Sequence, residues 1–537
     1  MGVGLRVTNI KQPGRWASYE PELLRAFRAG YTRSDLSSDV LAGITVAILA
    51  LPLSLAIAIG SGADPSKGLI SAIVGGGVIS ALGGTRFQIG GPAAAFIVII
   101  NGMIAAHGYD GLLLAMLMAG VLLLGAAALQ LGSYVKYVPG SVILGFTSAL
   151  GLVIAVGQLK DLFGLNGASP HEFIARLEVL WAARGNINGA ALATGLLTIA
   201  IVVGLRRKRP RWPGLLVGIA VASILVQVFS LDVTTLGQRF GAMPRSLPWP
   251  SVPAVTGARL IELLPTALTM TLLIGVESLL SAVTADAIAG TRHRPNAEIL
   301  AQGVANIAAA LFSGLPVTGV IARTGTNIQA GARTPLSGIV HALALLTFIM
   351  LLAPLVGYLA LPALAAVLLT VAWRLIDARE LRRFVRVAPR DDVLVCAVTA
   401  FLTIFVDLTV AISTGVVMAS LLFMHRVAEL PNGHHAPHDP ATSEPGVRRL
   451  VFRGPLFFGQ SARVADALQA GSEGTTSLIL DMTDVPLIDA TTIAVFEDLA
   501  EQCAATGCAI VLEGLAAQPR EALQRAGYLA HRGVTVT

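Results

Sequence analysis

A short segment rich in glycine, alanine and proline has the composition of an anion-binding site. Residues 88–96 read QIGGPAAAF. The residue before a proline favours extended backbone and proline suits the first turn of a helix, so a new helix should begin just after Gly91 and Pro92. Its first N–H groups would be unpaired at the positive end of the helix dipole, where Ala93 and Ala94 leave room for an anion. The alternative is a small-residue surface for helix packing.

A second segment of the same kind carries an arginine. Residues 315–319 read LPVTG, which predicts extended backbone, and a helix should follow from Val320. Arg323 would then lie about one turn inside this helix. An arginine in apolar surroundings is costly and normally needs a partner or water. It therefore serves either an anion or a structural ion pair.

One acidic side chain stands alone in another apolar stretch. Glu277 is the only carboxylate between Leu263 and Ala285, and Ser281 and Thr284 follow it at positions i+4 and i+7, on the same helix face. A carboxylate that balances burial against a nearby arginine can bind and release protons. The alternative is a static pair between Glu277 and an arginine.

The composition places these residues in a membrane. Only 13% of the 537 residues are charged, against about 25% in soluble domains. Residues 40–427 are almost entirely apolar, whereas the last ~90 residues have an ordinary soluble composition. The net charge of +6 comes from basic residues in short loops between apolar segments. That distribution sets membrane orientation and gives no surface for nucleic acid.

Fourteen apolar segments are expected to span the membrane. With both termini in the cytoplasm, the strongly basic loops all lie on the cytoplasmic side, and an amphipathic helix near 170–184 lies outside. The two interrupted segments come third and tenth, which predicts two inverted seven-span repeats whose half-helices face each other near the midplane. The segments are 40–60, 68–84, 88–106, 111–131, 139–159, 188–205, 213–231, 260–284, 297–313, 315–331, 337–353, 356–373, 391–407 and 408–427.

Three further regions flank the expected transmembrane domain, residues 39–428. Residues 1–38 are polar and basic and show no signal peptide, so they should stay in the cytoplasm. Residues 429–446 form a linker whose His434, His435 and His438 are explained as well by a solvated segment as by a metal site, and no metal is predicted. Residues 447–537 alternate strands and helices, which predicts a small α/β domain.

Five motifs together resemble the SulP sulfate-permease family, which includes prestin and pendrin, over residues 39–537. The resemblance implies a uracil-transporter-like fold, in which a core of spans 1–4 and 8–11 moves in an elevator-like manner against a gate of spans 5–7 and 12–14. The substrate would bind between the third and tenth half-helices. The motifs are Asp39–Ala47 (DVLAGITVA), Leu51–Ala56 (LPLSLA), Gly83–Thr85 (GGT), Gly290–His293 (GTRH) and Asn327–Thr334 (NIQAGART).

The resemblance also supplies a set of expected site residues. Two departures from the family, Ala93 where an aromatic is common and Leu53 where a polar residue is common, suggest a pocket built from backbone dipoles. The sodium-coupled bicarbonate members have Asp at the Glu277 position, so this chain favours protons over sodium. The substrate-binding residues would be Leu53, Ile57, Gly91, Pro92, Ala93, Ala94, Gly319, Val320, Ile321, Ala322 and Arg323, and the proton-coupling residues Glu277 and Ser281.

The C-terminal domain resembles a STAS domain, the anti-sigma-antagonist fold, in residues 478–489 (LILDMTDVPLID). Related soluble proteins have Asp-Ser-Ser-Gly at the helix start, with a phosphorylatable serine. This chain has Asp489-Ala-Thr-Thr492 there, so neither a phosphorylation switch nor catalysis is expected. A module that binds a partner or supports a dimer is the simpler interpretation.

The sequence as a whole predicts a proton-coupled symporter for a small anion, sulfate, bicarbonate or a dicarboxylate, in the bacterial inner membrane. It should be a homodimer with cytoplasmic termini, without enzyme activity or cofactor. A passive anion channel is an alternative, although a channel needs no buried proton carrier. A sodium-coupled bicarbonate symporter, a sensor that signals through its STAS domain and a nucleobase transporter of the same fold are further alternatives.

Overall fold

The computed structural model describes residues 18–132, 139–165, 170, 172–209, 212–406, 408–429, 446–458, 460–472, 474–531 and 533–537. The start of the basic N-terminal segment and the three linker histidines, His434, His435 and His438, lie outside these ranges. The chain divides into two compact units, Met1–Val416 and Val417–Thr537. The first is a helical bundle and the second contains a parallel sheet.

The first unit consists of helices and two three-residue strands, and the last of its helices continues beyond Val416 into the second unit. A 3-10 turn, Ala94–Phe96, joins the first strand to the helix that follows. The elements are α1 Glu22–Arg28, α2 Arg33–Gly60, α3 Pro65–Leu82, β1 Gly90–Pro92, α4 Ile97–Ala128, α5 Gly140–Leu162, α6 Phe173–Ala182, α7 Gly189–Lys208, α8 Gly214–Val228, α9 Leu236–Phe240, α10 Gly257–Ala289, α11 Pro295–Leu311, β2 Val317–Gly319, α12 Ile321–Gln329, α13 Leu336–Val356, α14 Leu361–Ile376, α15 Ala378–Val387, α16 Arg390–Phe405 and α17 Leu408–Glu429.

Each of the fourteen predicted segments coincides with a helix, or with a strand that leads into one. The third and fourth lie in one helical stretch that is interrupted at Gly108, where φ is 70° and ψ is 177°. Within the described ranges, eight helices are long and apolar enough to cross a membrane. The count of fourteen spans remains a prediction. The amphipathic helix expected near 170–184 is α6.

The helix boundaries follow from local sequence. Thr32 and Asp35 form a capping box at the start of α2, each side chain accepting a hydrogen bond from the other residue's backbone N–H. Asp64 caps α3, and Pro65 takes the first helical position, where its missing N–H costs nothing. Gly290 ends α10 in the left-handed conformation that glycine adopts without strain. These signals fix the lengths of the helices that carry the site.

The helices of the first unit pack in two groups. One group contains α2, α3, α4, α10, α11, α12 and α13, in which α13 packs on α2 and α3 while α11 packs on α3 and α4. The other contains α5, α7, α8, α14 and α16, with α14 between α5 and α7. We call them the core group and the gate group after the predicted spans that they contain, and the division of the chain into a moving core and a gate stays a prediction. Their main contact runs between α14 and α2.

Glycine allows a close contact between two helices of the core group. A Cβ atom on Gly120 of α4 would lie 2.9 Å from the backbone oxygen of Gly303 and 2.6 Å from Ile307, both on α11. A Cβ on Gly303 would in turn lie 2.8 Å from the oxygen of Gly120. The backbones of α4 and α11 therefore touch at this point, as is common for small residues between membrane helices.

The second unit is an α/β domain with a four-stranded parallel sheet in the order β3-β4-β5-β6. Its apolar core includes Phe452, Phe496 and Tyr528, all fully buried. Strands and helices alternate along the chain, as predicted. The elements are β3 Val447–Arg453, α18 Ser461–Ser472, β4 Ser477–Asp484, α19 Ala490–Thr506, β5 Ala509–Glu513, α20 Ala517–Arg525 and β6 Val534–Val536.

Asp489 has a structural role at the start of α19. Its carboxylate accepts hydrogen bonds from the backbone N–H of Thr492 at 2.9 Å and from that of Phe458 at 2.8 Å. The first contact is a helix cap and the second ties the helix start to the chain that follows β3. Asp489 is thus explained by folding alone.

We expect Gly120→Val to destabilise the first unit, because the new side chain would overlap α11. Overpacking of this kind costs about 1–3 kcal/mol. The matched control is Gly125→Val on the same helix, where a Cβ would meet no described atom within 4 Å. Thermal unfolding in detergent should show a lower midpoint for Gly120→Val than for Gly125→Val, and equal midpoints would contradict the close contact.

Candidate functional site

The two interrupted segments meet in a small antiparallel sheet inside the core group. Gly90 pairs with Gly319, Gly91 with Thr318 and Pro92 with Val317. All six residues are buried. Because the strands are antiparallel, the helices that follow them leave in opposite directions. Their positive ends are therefore directed toward the same pair of strands.

Both helix starts offer free backbone N–H groups. Ala93 and Val320 precede the two starts in extended conformation, and no described side chain caps either of them. The N–H of Val320 is already used by the oxygen of Ile89, at 3.0 Å. The N–H of Phe96 donates to the oxygen of Ala93 at 3.2 Å, and that of Thr324 donates to the oxygen of Val320 at 2.9 Å. Only the N–H groups between these residues therefore have no acceptor within their own helix. This is the arrangement that the sequence predicted.

Side chains complete the hydrogen bonding of the strands. Asn306 of α11 donates to the oxygen of Val317 at 2.9 Å and accepts from its N–H at 3.0 Å, as a third strand would. The N–H of Ile89 donates to the hydroxyl of Thr324 at 3.1 Å. Non-helical backbone at membrane depth has to be satisfied within the protein. These contacts hold the strand pair in place.

Arg323 is fully buried beside the strand pair and is only partly satisfied. Its Nη2 atom donates to the hydroxyl of Ser54 on α2 at 3.0 Å. Its Nε and Nη1 atoms have no hydrogen-bond partner among the described residues. A buried guanidinium without a counter-charge is unfavourable, and an anion close to it would relieve that cost.

Gly91 provides the space that the guanidinium occupies. A Cβ atom on Gly91 would lie 2.2 Å from Nη1 of Arg323 and 3.2 Å from its Cζ. Gly91, one of the expected substrate-binding residues, therefore leaves room for the side chain of Arg323. Arg323 lies directly against β1, so its charge acts at the start of the first half-helix as well as the second.

A histidine that the sequence analysis did not consider lies next to Arg323. His341 of α13 is fully buried, and neither ring nitrogen has a hydrogen-bond partner in the described part of the chain. A hydrogen bond of 2.8 Å from Asn327 to Ser337 joins α12 to α13. Arg323 lies one turn before Asn327 on α12, and His341 lies one turn after Ser337 on α13. The charge of Arg323 therefore acts on the imidazole of His341.

Glu277 lies on the face of α10 that packs against β2 and α12. On that face Ser281 contacts Thr324, with 3.3 Å between their hydroxyls, and the oxygen of Ile274 accepts from Thr318 at 3.2 Å. Glu277 is half-buried, and its Oε2 atom is buried without a hydrogen-bond partner among the described residues. Ser281 and Glu277 therefore face the segment that contains β2 and α12, and their role in proton coupling stays a prediction.

The alternative role of Glu277, a static ion pair with Arg323, is not seen among the described residues. Among the described residues Arg323 contacts Ser54, on the side of α2, whereas Glu277 belongs to α10 on the other side of α12. The interpretation as a static pair is therefore wrong for this conformation. The sequence placed both residues in the same site but could not tell which way the arginine points.

The remaining predicted residues differ in accessibility. Leu53 and Ile57 are buried on α2, one turn apart and next to Ser54. Pro92, Ala93 and Ala94 are buried at the first helix start, while Val320 is half-buried and Ile321 and Ala322 are exposed at the second. Packing requires a glycine at position 319, because a Cβ there would lie 1.8 Å from the amide nitrogen of Gln88, and its predicted contact with the substrate stays a prediction.

A buried carboxylate below the strands was missed in the sequence. Glu298 of α11 is fully buried and accepts hydrogen bonds from Gln88 at 2.8 Å, Gln302 at 2.9 Å and Thr85 at 2.8 Å. Each carboxylate oxygen is satisfied, so Glu298 fixes Gln88 just before β1. The available signal was a polar stripe at every fourth position of an apolar helix: 298, 302 and 306.

A family model described as the sulfate permease family matches residues 36–399. A STAS domain model matches residues 440–532. The chain is 34% identical over 504 residues to the putative sulfate transporter YvdB of Bacillus subtilis, covering 93% of this chain and 95% of that one. It is 30% identical over 521 residues to the bicarbonate transporter BicA of Picosynechococcus, covering 91% of each.

Solved structures agree with these matches. The transmembrane domain of a cyanobacterial bicarbonate transporter BicA superimposes with a TM-score of 0.64 at 29% identity, covering 72% of this chain and 98% of that one. Murine Solute Carrier 26 family member A9, an anion transporter in the inward-facing state, gives 0.87 at 18% identity, covering 99% and 94%. At that identity the likeness shows the fold. The predicted fold class, a helical membrane domain followed by a STAS domain, is confirmed.

We expect Gly91→Ala to weaken anion binding, because the added methyl group would displace the Arg323 guanidinium. The affinity measured by calorimetry or by a radioligand in detergent should fall at least about tenfold, since a buried charge contact is worth 2 kcal/mol or more. Gly204→Ala on α7 is the control, because its Cβ would meet no described atom within 4 Å. Unchanged affinity in a folded Gly91→Ala protein would contradict this placement of Arg323.

Proposed function

The chain belongs to the sulfate permease family, and we propose that it is a secondary active transporter whose anion binds at the two half-helix starts. The observation that carries the proposal is the buried guanidinium of Arg323, which has two unpartnered nitrogens among the described residues and lies against β1. An anion there would be held by backbone N–H groups of both starts and by the field of Arg323.

The substrate class is proposed as a small oxyanion or carboxylate. The predicted side chains around the helix starts are apolar or absent, so recognition depends on N–H groups and on charge. Such a site suits sulfate, bicarbonate and dicarboxylates alike. Sulfate and bicarbonate are named for the relatives that share about a third of the sequence.

Transport by an elevator-like movement is the proposed mechanism. All the residues that would bind the anion belong to the core group, in α2, β1, the turn before α4, and the segment from β2 to α12. The site would therefore move as one body past the gate group. We further propose a homodimer in the bacterial inner membrane with both termini in the cytoplasm. The STAS domain would support the dimer or bind a partner.

Glu277 is the proposed proton carrier. Its carboxylate lies on the helix face that contacts β2 and α12, and it is not paired with Arg323 at ion-pair distance. When ionised it would add a negative charge near the anion site and oppose binding. Protonation would remove that charge, so proton and anion would bind together, with a coupling of about 1–3 kcal/mol.

Uptake into liposomes tests the anion site. We expect radiolabelled sulfate, bicarbonate or a dicarboxylate to accumulate with the wild-type protein, and Arg323→Gln to bind the same anion at least about tenfold more weakly. Arg333→Gln is the control, because Arg333 is half exposed in an ion pair with Asp35. If none of the three classes of anion is carried, or if Arg323→Gln binds normally, the proposed function is wrong.

A pH gradient tests the coupling. We expect an inward proton gradient to drive accumulation, and Glu277→Gln to bind anion and exchange it but to lose the response to the gradient, because the amide mimics the protonated acid. Glu262→Gln on the same helix is the control, since Glu262 is exposed and pairs with His107. Gradient-driven accumulation by Glu277→Gln would contradict the assignment. A requirement for sodium would favour the sodium-coupled alternative, and uncoupled flux in the wild type would favour a channel.

A further inference from the structure

A short helix between two apolar helices carries an unusual concentration of arginine. The α15 helix, Ala378–Val387, follows α14 and precedes α16, and Asp377 separates it from α14 with a φ of 29°. The carboxylate of Asp377 accepts the N–H of Glu380 at 3.1 Å and so caps α15. The helix is therefore a separate element at one membrane surface, not an extension of α14.

The four arginines of α15 share one helix face. Arg379, Arg382, Arg383 and Arg386 have the spacing i, i+3, i+4 and i+7, and all four are exposed. They line a surface cavity of about 550 Å³ together with Val387. In the part of the chain that the structure describes, no carboxylate forms an ion pair with them.

Apart from the exposed Glu380, the rest of α15 is apolar, and part of that apolar surface is exposed. Leu381 and Phe384 are half-buried, whereas Val385 and Val387 are 53% and 77% exposed. Trp373, at the end of α14, is 73% exposed. An amphipathic helix with arginine on one face and exposed apolar residues on the other is typical of the membrane interface.

The neighbouring helix ends of the gate group add positive charge. Arg374 in the last turn of α14 lies close enough to Arg206 of α7 for the two guanidiniums to repel each other. Both side chains are exposed. The surface near α15 therefore carries the positive charge of Arg206 and Arg374 in addition to that of its own four arginines. Orientation during insertion explains basic loops in general, but it requires neither one arginine face nor an exposed apolar face.

We propose that α15 is a binding site for the headgroup phosphates of anionic membrane lipids. The arginine face binds the phosphates through paired N–H groups, and the exposed valines contact the acyl chains of the same lipids. A free phosphate ion would satisfy the first requirement but leave the valines in water. The arginine face and the exposed valines together therefore favour a lipid over a free phosphate ion.

Thermal unfolding of the full chain in a neutral detergent tests the site. The probes are dioctanoyl phosphatidylglycerol, dioctanoyl phosphatidylcholine and inorganic phosphate. Wild-type protein should be stabilised by the first lipid much more than by the other two probes. In the variant R379Q/R382Q/R383Q/R386Q, the lipid concentration for half the effect should rise at least about tenfold. The variant R448Q/R453Q/R520Q/R525Q removes the same charge from the second unit and should respond like the wild type.

Four outcomes of these measurements would contradict the proposal. If the fourfold variant does not fold, the milder R382Q/R386Q should still lose part of the response, and a full response there would overturn the proposal. A full response in the fourfold variant would also overturn it. Equal stabilisation by phosphatidylcholine would mean that the site does not distinguish an anionic headgroup from a neutral one. Equal stabilisation by inorganic phosphate would mean that the site takes a free ion.

Discussion

The first unit depends on one constraint, which is that backbone leaving a helix inside a membrane must be hydrogen-bonded by the protein. The chain meets it by pairing Gly90–Pro92 with Val317–Gly319 and by using the Asn306 amide as a substitute for a third strand. Glu298 then orients Gln88 next to the strands. Only because the strands are satisfied in this way can two helices begin in the interior with their first N–H groups unused.

Arg323 turns that backbone arrangement into a charged site. Its guanidinium fills the space left by the missing side chain of Gly91, so the positive charge and the two helix dipoles act on the same place. The arrangement places the charge behind the backbone, and in the proposed site this charge would let a pocket with alanine and leucine side chains prefer anions. It also explains why the identity of the anion is not evident from the side chains around the helix starts.

The broken helices could be predicted from sequence because their signals are local. Glycine and proline determine the backbone of residues 88–96 and 315–319, and the matching positions of the two segments follow from counting apolar stretches. The face of α10 that carries Glu277 and Ser281 followed from helical spacing alone. The STAS domain could be predicted for the same reason, because its strands and turns follow from short sequence patterns.

The side-chain partners could not be predicted, because they depend on contacts between distant parts of the chain. Arg323 turns toward Ser54 and away from Glu277, and no local pattern decides between those directions. His341 is an isolated polar residue in an apolar helix, so nothing in the sequence assigned it to the site. Its position depends on the contact of α12 with α13 through Asn327 and Ser337. Gly319 was predicted to contact the substrate. The space that its side chain would occupy is filled by Gln88, which is 231 positions away in sequence.

The position of the bound anion tests the central claim most directly. Crystals of the protein grown with selenate, or with a brominated carboxylate if a carboxylate is the substrate, would give an anomalous signal from the anion itself. The account predicts one strong peak within hydrogen-bonding distance of the first-turn N–H groups after Ala93 and Val320, on the strand pair that Arg323 supports. A well-occupied anion elsewhere in the first unit, with both helix starts empty, would contradict it.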